Sequence, residues 1–427
     1  MTLPEQSKSE TADSEAATQT FDVVIVGGGM VGASLSLLLD SYIKKGLQVA
    51  LVDAHEISSQ NVAEVNMQQP SFDERTTAIS LGSKRILTAL GVWSGIGQSA
   101  TAIEHIQVSQ QKQFGRVRLH ASECQVEALG YVAENKSIGC ALQAGILSQK
   151  KLTIFAQSNV EHYKVISTGV ALQLRCADSN SITPIKTRLL VLADGANSEG
   201  CHQLGIEQTK YDYKQHAIVC NVSFEQPHDH WAYERFTQQG PLALLPMGSN
   251  RYALVWCMDS EQAAERMACD VEQFKSELQS VVSYDKGRIT QIGKRSQYPL
   301  ALVQSSEQVR RHVVVLGNAA HALHPVAGQG FNLALRDAKS LAKTIGEQLD
   351  DPGKLSGLLE YVENQKQDQM LTTSISHLLP TQFSQLGLHW SALRSLAMTA
   401  MDTIPVSKQL FANQAMGLVG KASEWKP

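Results

Sequence analysis

Cysteine is scarce in this chain and scattered. There are seven, an odd number, and no two form a C-x-x-C pair. That excludes a disulfide framework and the common zinc patterns, and it fits a reducing compartment. No metal site is expected. An excess of basic charge is also missing. Lys and Arg total 37 against 41 Asp and Glu, a net charge of −4, so the basic stripe of a nucleic-acid binder is absent. Long apolar runs are lacking too. Val23 to Leu39 carries no charge, but four glycines and two serines interrupt it. A spanning helix needs about 20 mostly apolar residues, so this is not one. Residues 1–20 lack the basic start and apolar centre of a signal peptide and read as a disordered tail. What remains is a cytoplasmic protein, soluble or peripheral.

The 427 residues, 43 % hydrophobic, are enough for two or three domains with a sizeable core. Order begins at Phe21, where Phe21 to Val26 is a β-branched run bounded by glycines, the pattern of a buried parallel strand. A helical stretch from Ala33 to about Lys45 follows, then a second strand, Gln48 to Asp53. Ser80 to Leu90 reads as a helix with Ser80 as N-cap and Gly91 beyond its end. Leu189 to Ala193 and Val313 to Leu316 repeat the buried-strand pattern. Between about Gly205 and Leu302 the pattern changes to short runs separated by turn residues: His216–Phe224, Trp231–Phe236, Leu242–Pro246 and Tyr252–Met258, with one helix near Val271–Val281. That is an antiparallel sheet. The fold class is therefore α/β (α+β). A Rossmann-like dinucleotide-binding domain (21–204 and 305–350) carries an inserted antiparallel-sheet substrate domain (205–304) and a C-terminal helical segment (351–427).

Two glycine loops carry the chemistry. Gly27-x-Gly29-x-x-Gly32 lies between strand and helix, with Met30 inside it. Glycines there permit a tight turn, close approach of the backbone to a pyrophosphate, and packing of helix on strand. The helix start offers N–H groups and the positive end of its dipole to phosphate. Asp53 ends the second strand about 20 positions later, placed to accept from ribose hydroxyls and to disfavour a 2′-phosphate. This loop alone fits FAD or NAD. The second loop runs from Gly317-Asn318-Ala319-Ala320-His321 through Pro325 to Gly328-Gln329-Gly330-Phe331-Asn332, again between strand and helix. A cofactor whose far end is a redox-active ring needs such a second cradle, and amides at a helix start can stabilise negative charge on a reduced flavin. Pro325 stiffens the approach.

On these residues the chain resembles the class A flavoprotein monooxygenases. That family pairs an early G-x-G-x-x-G with an Asp-Gly element, here Asp194-Gly195, and a late G-D-A-A-H…P-x-x-G-Q-G-x-N stretch. The resemblance covers Phe21 to about Leu349. It implies that FAD contacts Asp194, Gly195 and Asn318, which stands where the family has Asp. It places Arg75, in Phe72-Asp73-Glu74-Arg75-Thr76-Thr77-Ala78-Ile79, near the flavin and the incoming nucleotide, with a backbone contact to adenine near Val160. Cys201 stands where the family often has Arg, so a nucleotide contact there is in doubt. Arg75 and Pro325 are the candidates nearest the chemistry, and no phenol-activating base is evident; His321 and His324 are either structural hydrogen-bonders or bases. Three segments, Tyr233–Met247, Leu254–Cys257 and Gly293–Leu302, resemble the ubiquinone-pathway branch.

The resemblance implies that NADPH or NADH reduces FAD, that O2 adds to give a C4a-hydroperoxide, and that a polyprenyl phenol is hydroxylated on its ring. It also implies a ubiquinone-biosynthesis assembly as partner and a place on the inner membrane face. Between Asp368 and Arg394 there is no charge, while Leu371, Ile375, Leu378, Leu379, Phe383, Leu386, Trp390, Leu393 and Leu396 recur at near-helical spacing. They form either a helix pair packed on the flavin domain or a contact with membrane or partner. Two other functions remain open: another FAD-dependent oxidoreductase on this fold, or a non-catalytic FAD-binding scaffold.

Overall fold

A computed structural model describes residues 18–57, 75–177, 181–282, 284–325, 328–385, 395 and 398–418. Most of the expected tail, Phe72 to Glu74, Val326, Ala327, Leu386, Trp390, Leu393, Leu396 and the side chains of Leu379 and Phe383 lie outside the described residues.

The opening run forms the strand Gln19–Val26, which takes in Gln19 and Thr20 from the expected tail. It pairs in parallel with Val49–Val52 on one side and Ile182–Leu192 on the other. Thr153–Phe155 and Val313–Val315 extend this sheet, also in parallel. Its centre is buried on both faces, as β-branched parallel strands require. The helical stretch after the first strand is two helices, Met30–Leu38 and Asp40–Lys44, with Leu39 between them. A hairpin, Ser158–Ile166 with Gly169–Cys176, joins the sheet antiparallel to Ile182–Leu192. Leu81–Ala89 is a helix whose N-cap Ser80 accepts from the Ser83 N–H, and Gly91 beyond its end has a φ of 75°.

Among the described residues the second sheet has nine strands. Gln208–Phe224, Trp231–Phe236, Pro241–Met247, Arg251–Asp259 and Ser296–Ser305 form most of it. It reaches outside residues 205–304. His105–Gln110 pairs in parallel with Trp231–Phe236, and Arg116–His120 pairs with His105–Gln110. One face packs on the helices Ser260–Ala268 and Val271–Val282, through Trp256, Phe274 and Leu278. The other face turns toward the first sheet. A three-stranded sheet, Thr76–Ser80, Gly130–Glu134 and Thr101–Ile103, lies at the junction.

The helix Gln329–Glu347 follows the second glycine loop, and Leu355–Gln385 packs on it. The inner side of this helix is polar. Gln365, Asp368, Gln369, Thr372 and Ser376 are buried, while Leu371 is 43 % and Leu378 49 % exposed. The cause is a set of polar partners on the inner side. Arg336 donates two bonds to Asp368 (2.6 and 3.0 Å), Gln308 donates to Gln369 (2.9 Å), and Ser376 donates to the His324 carbonyl (3.0 Å). A buried carboxylate and guanidinium must be paired, so this register wins over the apolar one. Among the described residues no helix is long and apolar enough to cross a membrane.

Candidate functional site

One cavity of about 1590 Å³ lies between the two sheets and meets both glycine loops. Pockets for drug-sized ligands measure ~300–1,000 Å³, so it has room for more than one such molecule. Of the residues expected at the site, all but Gly32 and Val160 line it. Val160 pairs with Leu174 in the hairpin, and its side chain is buried in the core with Phe21 and Val24. Gly32 acts from behind. A Cβ there would stand 1.8 Å from the Gly27 carbonyl oxygen, so only glycine lets the helix close on the loop.

At the first cradle, Met30–Leu38 has no acidic residue in its own first turn, and its positive end faces the cavity beside Asp53. The Asp53 carboxylate is 6 % exposed. It accepts from the Gly28 N–H, the His55 N–H (2.7 Å) and the His55 ring (3.1 Å), which fixes its orientation. The same bond to Asp53 raises the His55 pKa above its ordinary value. Asp194 follows Ile182–Leu192 and lines the cavity. Its Oδ2 accepts from the Gly200 N–H (3.3 Å), while its Oδ1 is buried without a hydrogen-bond partner among the described residues. Burial pushes this carboxyl above the usual range. A buried acceptor without a donor costs free energy until a ligand supplies one. Cys201, in contrast, is fully buried, so that position offers no side chain to a nucleotide.

At the second cradle, Asn318 is exposed on the cavity wall and Gly328 is left-handed (φ 59°) at the start of Gln329–Glu347. Asn332 is held inward. Its Oδ1 accepts from the Ser80 N–H (2.9 Å), and its Nδ2 donates to the Ala78 and Gly328 carbonyls (2.8 Å each). Asn332 thus ties the loop to the strand Thr76–Ser80. His321 is bonded on both ring nitrogens, to Asp337 (3.2 Å) and Gln308 (3.3 Å), a structural arrangement. His324 lines the cavity, and burial, with His377 nearby, lowers its pKa to about 4. A general base works best with a pKa near the operating pH, so His324 is poorly matched to that task. Arg75 lies 4.7 Å from the centroid of the Tyr298 ring, a cation–π contact inside the cavity.

These groups fit an adenine dinucleotide carrying a flavin. The fit rests on the glycine cradle that a Cβ would fill, the helix start facing the cavity, and the Asp194 oxygen that no described residue satisfies. Sequence reasoning missed one part of the cavity's apolar wall: Ile106, Val108, Val117, Leu119, Met398, Met401 and Phe411. The alternation in His105–Gln110 and Arg116–His120 was a usable signal for the first four.

Comparison with known proteins agrees with this geometry. The chain is 31% identical over 406 residues to the ubiquinone hydroxylase UbiL of Rhodospirillum rubrum, covering 94% of this chain and 91% of that protein. It is 27% identical over 406 residues to 3-demethoxyubiquinol 3-hydroxylase of Escherichia coli, covering 94% and 99%. Among solved structures it is similar to p-nitrophenol 4-monooxygenase PnpA of Pseudomonas putida, with a TM-score of 0.75 over 95% of this chain and 100% of that one. At 15% identity, that likeness concerns the fold alone. The FAD binding domain family profile matches residues 20–373, well over half of the sequence, and the chain belongs to that family.

Proposed function

We propose that this protein is an FAD-dependent monooxygenase that hydroxylates the ring of a polyprenylated methoxyphenol in ubiquinone biosynthesis, with NADPH or NADH and O2 as co-substrates. The observation that carries this reading is a single cavity joining both glycine cradles to the apolar face of a second sheet. Bound there, FAD supplies electron transfer from the nicotinamide and activation of dioxygen. The protein's own work is positioning and exclusion of water. Asp53, Asp194 and the two helix starts hold the dinucleotide. Arg75, steadied by Tyr298, offers a cation to an incoming nucleotide. Val219 and Val255 give the substrate ring an apolar wall.

The names of the similar proteins support the pathway and the substrate class. The exposed Leu371 and Leu378 support a contact with the membrane surface or with an assembly partner. The test is to load the purified chain with FAD and follow nicotinamide oxidation with and without a prenylated methoxyphenol under labelled oxygen. Phenol-stimulated oxidation and one oxygen-18 atom in the product are expected. A chain that stays colourless in excess FAD, or a product without label, would overturn the proposal.

A further inference from the structure

We infer that the cavity continues, along the face of the second sheet, into a binding groove for a long hydrocarbon chain, closed by the C-terminal helices. The inference deepens the ring-hydroxylation reading, since it gives that substrate's tail a place, but it does not depend on the ring.

Strand register carries the argument. Ser296 lies opposite Val219, Val219 opposite Val255, Val255 opposite Ala243, and Ala243 opposite Glu234. Glu234 lies opposite Val108, and Val108 opposite Val117. All seven line the cavity. The row therefore crosses seven neighbouring strands, and at ~4.8 Å per strand it spans about 29 Å. It starts two residues from Tyr298, where Arg75 sits. Glu234 is its one charged member. The adjoining row, through Leu119, Ile106 and Ala232, carries no charge.

Side-chain size explains why this face is hollow. Ala217, Ala232, Ala243 and Ala253 occupy its middle, and all four line the cavity. Small residues there leave a trough that larger ones would fill. At the far end, Val117 and Leu119 pack with Met398, Met401, Phe411 and Ala415, from the helical residues 398–403 and the helix Pro405–Ala415. The polar exception is Gln414, whose Nε2 donates to the Thr372 hydroxyl (3.4 Å). The same helix turns Val406 (71 % exposed) and Leu410 (66 % exposed) away from the trough. A long trough with one charge suits an extended chain without polar groups, and methionines suit a ligand whose bends vary.

The test uses the FAD-loaded full chain and geranylgeraniol, a prenyl alcohol with no aromatic ring. Calorimetric titration should give saturable binding to one site. Ala243→Phe, which fills the trough, and Met401→Trp, which narrows its end, should each weaken binding roughly tenfold or more. Val406→Glu, on the outer face, should leave affinity within about twofold, since surface substitutions act weakly. Each variant must keep its flavin spectrum; if Ala243→Phe does not fold, Met401→Trp decides. Absent binding, unchanged affinity in the trough variants, or equal loss with Val406→Glu would overturn the groove. Phenol-stimulated oxidation without geranylgeraniol binding would leave the hydroxylation reading standing while this one falls. Binding without such oxidation would do the reverse.

Discussion

Replacing Asn332 by alanine tests whether the second cofactor loop is held by one side chain. Asn332 is 1 % exposed and makes three bonds to backbone at 2.8–2.9 Å. At a net contribution of about 1 kcal/mol per bond, the loss is about 3 kcal/mol, and partners left buried without a bond add to it. Part of this falls on overall stability, because Ser80 also caps the helix Leu81–Ala89. The rest falls on the order of the loop, because Gly328 opens the helix Gln329–Glu347. If half reaches the cofactor site, the FAD dissociation constant rises about tenfold. The assay is titration of apoprotein by flavin fluorescence, with thermal unfolding measured alongside. The expected result is a weaker dissociation constant together with a midpoint lower by several degrees. An FAD affinity within twofold of the parent, with an unchanged midpoint, would show that the three bonds do not hold the loop.

Three further outcomes are expected. Gly32→Ala places a methyl group 1.8 Å from the Gly27 carbonyl oxygen; the first helix must shift, and FAD affinity should fall by roughly 10–100-fold, read by the same titration. Arg75→Gln removes the cation over Tyr298 and should lower kcat/KM for NADPH or NADH by roughly tenfold or more, in steady-state oxidation assays. His324, with its pKa lowered from 6.5 to about 4, takes up its proton more readily when unfolded. Its contribution is therefore present above pH 6.5 and is lost as pH falls toward 4, by up to ~3 kcal/mol. Urea melts of parent and His324→Gln across that window should show a shallower pH dependence in the variant.

The first sheet was legible in the sequence because strands buried on both faces must be uninterrupted β-branched runs, and glycines mark their ends. Gln19–Val26, Val49–Val52 and Val313–Val315 follow that rule. The hairpin Ser158–Cys176 does not, since only two residues of Ser158–Ile166 are buried and its pattern is mixed. Asp53 and Asp194 were legible because a carboxylate at the end of a buried strand has few other reasons to be there. Asn332 lines the cavity, and its three backbone partners sit up to 254 positions away in sequence; no local pattern shows them. The polar inner side of Leu355–Gln385 was not legible, because apolar spacing alone does not show where a buried charge competes. Arg336 lies 32 positions from Asp368, and that pairing sets the helix rotation.

Borrowing His105–Gln110 for the second sheet has a consequence for how the protein is made. Its parallel partner, Trp231–Phe236, leaves the ribosome more than 100 residues later, and Val313–Val315, which extends the first sheet, later still. At 5–20 residues per second, the early strand, paired on one edge with Arg116–His120, waits on the order of ten seconds with its other edge open. Parallel pairings this far apart also close large loops, which slows the final assembly. The growing chain therefore passes through a stage in which Ile106 and Val108 are uncovered, the kind of exposed strand edge that invites self-association.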